Sequence, residues 1–301
     1  MSACSQGSRW QQALELLAEM RAQGSEPDVF SYSTAIGVCN QESQWQQALQ
    51  LLAEMRGRRL EPDVLAYNFA MSACEKGSQW QQALRLLAEM RAQGLEPNVL
   101  AYNFAMIACE KGSQWQQVLQ LLAEMQDRAL EPLGMTYRAA IRACEKLSQW
   151  QRALELLAGM QSQGSKPDES SYNAAISACE KGSQWQQALK LLAKMQAQGL
   201  EPDVITYILA MSACHQGSQW QQALELLAEM RGRRLEPDVL AYNFALIACE
   251  KGPQWQQALQ LLAEMRAQGL EPDVLSYGSA INACEKGSQW QQLKQIYNCL
   301  S

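Results

Sequence analysis

The sequence predicts an all-α solenoid of 35-residue antiparallel helical hairpins. Three observations predict it. Tryptophan occurs at Trp10, Trp45, Trp80, Trp115, Trp150, Trp185, Trp220, Trp255 and Trp290, always 35 residues apart and nowhere else. Nine of the ten cysteines keep the same period, at Cys4, Cys39, Cys74, Cys109, Cys144, Cys179, Cys214, Cys249 and Cys284, and only Cys299 lies outside it. Between these markers the apolar residues fall at helical spacing. A fixed period of this size marks repeats that bury their apolar faces by stacking on their neighbours.

The repeat running from Val64 to Asn98 shows the elements in order. Asp63 stands before the first helix and can cap it. Tyr67, Ala70, Met71 and Cys74 recur at i, i+3, i+4 and i+7, one face of that helix. Gly77 is expected to end it, with Ser78 as N-cap of the second helix. Trp80, Ala83, Leu84, Leu87 and Met90 form the apolar stripe of the second helix, and Gly94 stops it. First helices are expected to begin at Val29, Val64, Val99, Gly134, Glu169, Val204, Val239 and Val274, and second helices near each tryptophan.

The domain expectation is a single solenoid over residues 1–301. It comprises a partial repeat 1–28, complete repeats from 29, 64, 99, 134, 169, 204 and 239, and a truncated last repeat 274–301. The opening MSACSQGSRW parallels Met71 to Trp80, so the chain is expected to begin inside a repeat, as a fragment or a chain whose leader is missing would; no targeting peptide is visible in it. The stretch from Trp290 departs from the pattern at Lys294, Gln295 and Asn298, as a polar capping helix or a degenerate one would. Gln46–Ala70 and Gln221–Ala245 differ only at Gln50 versus Glu225, which points to block duplication.

Composition narrows the function. No apolar run reaches the ~20 residues needed to span a bilayer. The net charge of −6 gives no overall attraction to nucleic acid. One cysteine per repeat reads as a small buried hydrophobe, reduced rather than bridged, because stacked helices lie about 8–10 Å apart. His215 is the only histidine, no C-x-x-C pair occurs, and the glycines that recur at the hairpin ends are expected to close helices and not to cradle phosphate. The expectation is therefore no enzyme, no metal, no cofactor and no small-molecule substrate.

Against this constant scaffold, variation gathers on the first helix. The residue after the constant tyrosine reads Ser33, Asn68, Asn103, Arg138, Asn173, Ile208, Asn243 and Gly278. Three residues earlier the series is Phe30, Leu65, Leu100, Met135, Ser170, Ile205, Leu240 and Leu275. Eight residues after the amide position a cation recurs, at Lys76, Lys111, Lys146, Lys181, Lys251 and Lys286. Spacing of i, i+3 and i+11 places the three on one helix face. An exposed row of apolar blade, amide and cation suits single-stranded RNA, stacking on bases, reading an edge and meeting phosphate. Each position has a second reading: a capping or solvated Asn, a solvated Glu–Lys surface pair such as Glu75–Lys76, and an apolar residue packed on the next repeat.

The chain resembles the pentatricopeptide repeat family over essentially its whole length. The motif stands as Tyr67-Asn68 with Ala70, the run Ala83 to Met90, and Gly199 to Asp203. Tetratricopeptide repeats differ in period and carry Gly and Tyr after the Trp, where this chain has Gln-Gln-Ala-Leu. The resemblance implies a right-handed superhelix binding one RNA base per repeat. The residue after the tyrosine and the last residue of the repeat would select the base. The pairs would be Ser33/Asp63, Asn68/Asn98, Asn103/Leu133, Arg138/Asp168, Asn173/Asp203, Ile208/Asp238 and Asn243/Asp273. The resemblance also gives base sandwiching to Phe30, Leu65, Leu100, Met135, Ile205, Leu240 and Leu275, and phosphate contact to the six lysines. Asn with Asp resembles the uridine-reading pair and Asn with Asn a cytidine-favouring one, a pyrimidine-leaning RNA partner overall. Asn103/Leu133, Arg138/Asp168 and Ile208/Asp238 depart from the pattern. The family further implies action in chloroplast or mitochondrial RNA processing, stability or translation. The alternative is a helical scaffold for protein partners with little or no RNA binding.

Overall fold

The computed structural model describes residues 8–252 and 254–287. Cys4, Trp290, Cys299 and the divergent segment with Lys294, Gln295 and Asn298 lie outside them. The described residues contain sixteen helices and no strand. In order they are α1 Arg9–Ala22, α2 Val29–Gln41, α3 Trp45–Gly57, α4 Val64–Lys76, α5 Trp80–Ala92, α6 Val99–Lys111, α7 Trp115–Asp127 and α8 Gly134–Lys146. The second half runs α9 Trp150–Ser162, α10 Glu169–Lys181, α11 Trp185–Ala197, α12 Val204–Gln216, α13 Trp220–Gly232, α14 Val239–Lys251, α15 Trp255–Ala267 and α16 Val274–Lys286. All eight first helices begin at the residues expected from the repeat.

The chain divides within α8 into two compact units, one ending at Ala143 and one starting at Cys144. In the first unit α2, α4 and α6 pack side by side, and α3 and α5 each bridge two of them. In the second unit α10, α12, α14 and α16 do the same, bridged by α11, α13 and α15. First helices can lie against each other because their contact faces carry small residues. Ala66, Ala70, Ala73 and Cys74 of α4 are all fully buried. The larger payload comes from the tyrosines and from the leucines and methionines of second helices, such as Leu86, Leu87 and Met90. All eight described cysteines are free and buried.

The hairpin turn corrects one expectation. Ser78 is not the N-cap of α5; that position is Gln79, whose side chain makes no cap bond. Gln79 N–H donates to Cys74 O (2.8 Å) and Ser78 N–H to Glu75 O (3.1 Å), the Schellman arrangement that closes α4. Ser78 itself takes the left-handed backbone, with φ 55°. Gly77 has an ordinary φ of −80° and is needed for a different reason. A Cβ there would lie 2.8 Å from Cγ of Trp45, the tryptophan of the preceding repeat. Gly112 stands in the same relation to Trp80, and Gly182 to Trp150. Tryptophan and glycine therefore form an inter-repeat lock. At the other hairpin end Gly94 does hold the left-handed turn, with φ 73°.

Candidate nucleic-acid interface

Seven of the eight first helices start from an Asp or Asn side-chain cap, and four of these caps are candidate base-reading residues. The side chains of Asp63, Asn98, Asp203 and Asp273 accept the backbone N–H of the third helical residue: Ala66, Ala101, Thr206 and Ser276 respectively. That N–H is one a helix end leaves unpaired. Asp273 is held below the ordinary carboxylate value, chiefly because it receives the Ser276 N–H. The cap thus has a committed acceptor oxygen facing the preceding repeat.

The fold brings that acceptor against the varying residue 30 positions earlier. Ser33 Oγ donates to Asp63 Oδ1 at 3.3 Å. Asn68 Nδ2 donates to Asn98 Oδ1 at 3.4 Å. Asn243 Nδ2 donates to Asp273 Oδ1 and Oδ2 at 3.3 and 3.1 Å. Asn173 is held differently, accepting at Oδ1 from Thr206 Oγ1 at 2.7 Å, while the same hydroxyl lies 2.7 Å from Asp203 Oδ1. Asn103 faces Leu133, which has no side-chain acceptor, and is held by the Thr136 hydroxyl at its Oδ1. Its Nδ2 is buried without a partner.

The amide row was expected to be exposed, and it is not. Ser33 is 1%, Asn68 7%, Asn103 0% and Asn243 3% exposed, while Asn173 is half-buried. The physical reason is the close approach of first helices, which draws the residue beside the tyrosine into the seam. Its cap partners stay open: Asp63 and Asp273 are exposed, and Asn98 and Asp203 are half-buried.

The apolar row is open. Phe30, Leu65, Leu100, Met135, Ile205, Leu240 and Leu275 are all between 41% and 74% exposed. They leave the alternative of packing on the next repeat without support, and they flank the amide seam. All six lysines are also exposed. Their partners are not the adjacent glutamates suggested by Glu75–Lys76, with Lys146 as the exception. Lys111 Nζ pairs with Glu75 (2.5 Å), Lys181 with Glu145 (2.8 Å) and Lys286 with Glu250 (3.1 Å), each 36 residues earlier. Lys76 and Lys251 meet Asn40 and His215 at that register and donate to their backbone carbonyls at 2.8 and 2.6 Å. Lys146 lies 3.3 Å from its neighbour Glu145.

Two features escaped the sequence reading. The hydroxyl at the third residue of the following helix touches the amides, as Thr136, Thr206 and Ser276 show. A ladder also links second helices: Arg56 reaches Tyr67 Oη (2.9 Å) and Glu89 of the next repeat, and Arg91 repeats the pattern with Tyr102 and Glu124. Both were discoverable only by pairing positions 33 residues apart. Among the described residues no group of three His, Cys, Asp or Glu could hold a metal, and no helix is long and apolar enough to cross a membrane.

Comparison with known proteins follows the same lines. A model described as the pentatricopeptide repeat domain matches residues 11–77, 120–181 and 190–252, and two further repeat models of that family match 62–111 and 170–200. No curated protein sequence matches the chain. Among solved structures, the maize pentatricopeptide repeat protein PPR10 in complex with an 18-nt psaJ RNA element is similar over 98% of this chain. The identity is 18% and the TM-score 0.52, and the chain spans 48% of that protein's length. The PPR domain of Arabidopsis thaliana protein-only RNase P 1, in complex with tRNA, matches 62% of this chain and 95% of its own. Its identity is 15% and its TM-score 0.52. At these identities the likeness is one of fold. The helical hairpins stacked at a 35-residue period, together with repeat models matching more than half its residues, make this chain a member of the pentatricopeptide repeat family.

Proposed function

We propose that the chain is a single-stranded RNA-binding adaptor that takes one base per repeat, with a leaning towards pyrimidines. The observation that carries the reading is the row of exposed apolar side chains from Phe30 to Leu275, set beside amides that meet the cap of the next repeat. Exposed leucines at fixed intervals are costly in water and gain by covering base faces. An amide held by a fixed acceptor is a pre-oriented edge reader. Two structures of the same fold were solved with RNA bound, PPR10 with a psaJ element and the RNase P 1 domain with tRNA, which adds support. Family membership supports placing the adaptor in chloroplast or mitochondrial RNA processing, stability or translation.

Because the amides lie in a seam, a base reaches them when the side chain turns outward or neighbouring first helices part slightly. Asn173, the least buried, is the readiest reader. Fluorescence anisotropy with oligouridine, oligocytidine and oligoadenosine at stated salt tests the reading. Asn173→Ala and Asn243→Ala are expected to weaken pyrimidine binding about three- to tenfold each, the worth of one or two net hydrogen bonds. Equal affinity for oligoadenosine, unaffected by either change, would remove the proposal. A second reading, a protein-binding scaffold, is favoured by one observation: glutamates of the preceding repeat neutralise Lys111, Lys181 and Lys286. It predicts no binding to any of the three strands.

A further inference from the structure

We propose that the third residue of each first helix is a specificity-determining residue, setting whether the preceding repeat's amide offers a donor or an acceptor to a base. The inference rests on the RNA reading above and concerns Ala101, Thr136, Thr206 and Ser276. Their side chains are all fully buried in the seam between first helices.

Capping dictates the amide's orientation. Asn98 Oδ1 already accepts the Ala101 N–H at 3.0 Å, so it must face outward as an acceptor, and Asn68 can meet it only with Nδ2. The Asn68 Oδ1 is then left buried without a partner. Alanine at position 101 has nothing to give it. At Asn243 the Asp273 carboxylate takes Nδ2 in the same way, but Ser276 supplies what Ala101 lacks. The Asp273 N–H donates to Ser276 Oγ at 3.1 Å, and that hydroxyl lies 2.5 Å from Asn243 Oδ1. A hydroxyl has one proton, and Ser276 Oγ has a second acceptor in Asp273 Oδ1 at 2.9 Å; the amide carbonyl is the nearer of the two, and that carboxylate oxygen already receives the Ser276 N–H, so the proton goes to the carbonyl. Thr206 is arranged alike: the Asp203 N–H reaches its Oγ1 at 3.3 Å, and the hydroxyl stands 2.7 Å from both Asn173 Oδ1 and Asp203 Oδ1, the latter already receiving the Thr206 N–H at 2.8 Å.

The two classes therefore show opposite edges. Asn173 and Asn243, with their carbonyls occupied, have only N–H left for a ligand, which suits a ring carbonyl such as those of uracil. Asn68 has an unpaired carbonyl, which suits an exocyclic amine such as that of cytosine once the side chain turns outward. Asn103, locked at Oδ1 by Thr136 and with an unpartnered Nδ2, joins the donor class despite Leu133.

The test measures the ratio of dissociation constants for oligouridine and oligocytidine. Ser276→Ala and Thr206→Ala free a carbonyl and are expected to move the ratio about three- to tenfold towards cytidine. Ala101→Ser, with Asn68 and Asn98 untouched, is expected to move it by a similar factor towards uridine. General loss of stability would weaken both strands together and cannot move the ratio in opposite senses; helical melting curves confirm that each variant is folded. A ratio unchanged in all three variants, with both strands still bound, overturns the role of the third residue alone. If the wild-type protein binds neither strand, the RNA reading falls and this inference with it.

Discussion

Leu133 is the residue at which the repeat is most visibly incomplete. Six of the other first helices start from an aspartate and one from Asn98. Leu133 offers no cap oxygen, and the Thr136 hydroxyl accepts the Leu133 N–H at 3.2 Å instead. The same absence strands Nδ2 of Asn103, which sits where Asn243 finds its carboxylate. Leu133→Asp should repair both defects at little cost in burial, since the leucine is 41% exposed. A restored cap contributes about 1 kcal/mol and a satisfied buried amide about as much again. A urea melt should therefore show a gain of about 1–2 kcal/mol, and an unchanged or lower midpoint would count against the pairing geometry. Residues of this kind are legible in the sequence because the period aligns them: Leu133 stands out against the aspartates at the same position of other repeats. Burial of the amides was not legible. Being one residue past the tyrosine places Asn103 beside the apolar stripe of its own helix, and only the neighbouring helix turns that flank into a seam.

At the scale of the element, first-helix starts are readable to the residue because all but the one after Leu133 bring a capping side chain, and the repeat period places that one too. Helix ends misled, because glycine has two uses here. Gly94 supplies a left-handed φ, whereas Gly77 supplies empty space for Trp45, and the left-handed turn falls on Ser78. The first helix also carries the repeat's acid–base signature. Burial pushes the thiols of Cys74, Cys109, Cys214 and Cys249 up to about 12, and those of Cys144 and Cys179 up to about 11, from an ordinary 9.0. Buried tyrosines such as Tyr67 and Tyr172 are raised for the same reason. The sign follows from proton counting. Above about pH 9 the unfolded chain releases thiol protons that the folded chain retains, so it binds fewer protons and stability falls as pH rises. The contribution is fully present below pH 9 and is lost progressively towards pH 12. Thermal midpoints measured from pH 7 upward should be flat until about pH 9 and then drop steeply. Replacing Cys74 and Cys109 by alanine should flatten that drop, whatever it does to the neutral-pH midpoint, and a drop that keeps its slope in the variant would assign it elsewhere.

Across the molecule the balance of charge decides how the chain could hold a polyanion. A net charge of −6 looks unfavourable, yet the charges are arranged by register and not spread evenly. Glu75, Glu145 and Glu250, each one residue before a lysine, pair with the lysine of the following repeat, and Lys111, Lys181 and Lys286 are neutralised in this way. The pairing fails where Asn40 and His215 replace glutamate, and there Lys76 and Lys251 bond to backbone carbonyls of the preceding first helix, Lys251 also reaching the Ser218 hydroxyl at 3.5 Å. Among the described residues those two cations have no carboxylate partner, one near the start of the repeats and one near the end. A phosphate approaching Lys111 or Lys181 must first compete with a carboxylate, whereas at Lys76 or Lys251 it displaces only water and neutral oxygens. On the RNA reading, Lys76→Gln and Lys251→Gln should each weaken binding more than Lys111→Gln or Lys181→Gln. Each should also lower the slope of log affinity against log salt by about 0.7, the counterion release of one single-strand phosphate contact. Conversely, Glu75→Gln and Glu145→Gln should tighten binding and steepen that slope, because they release Lys111 and Lys181 for phosphate. Anisotropy titrations at three or more salt concentrations separate the outcomes. If all four lysine variants change slope equally, the glutamates do not gate the lysines, and the inter-repeat ion pairs serve only to join one hairpin to the next.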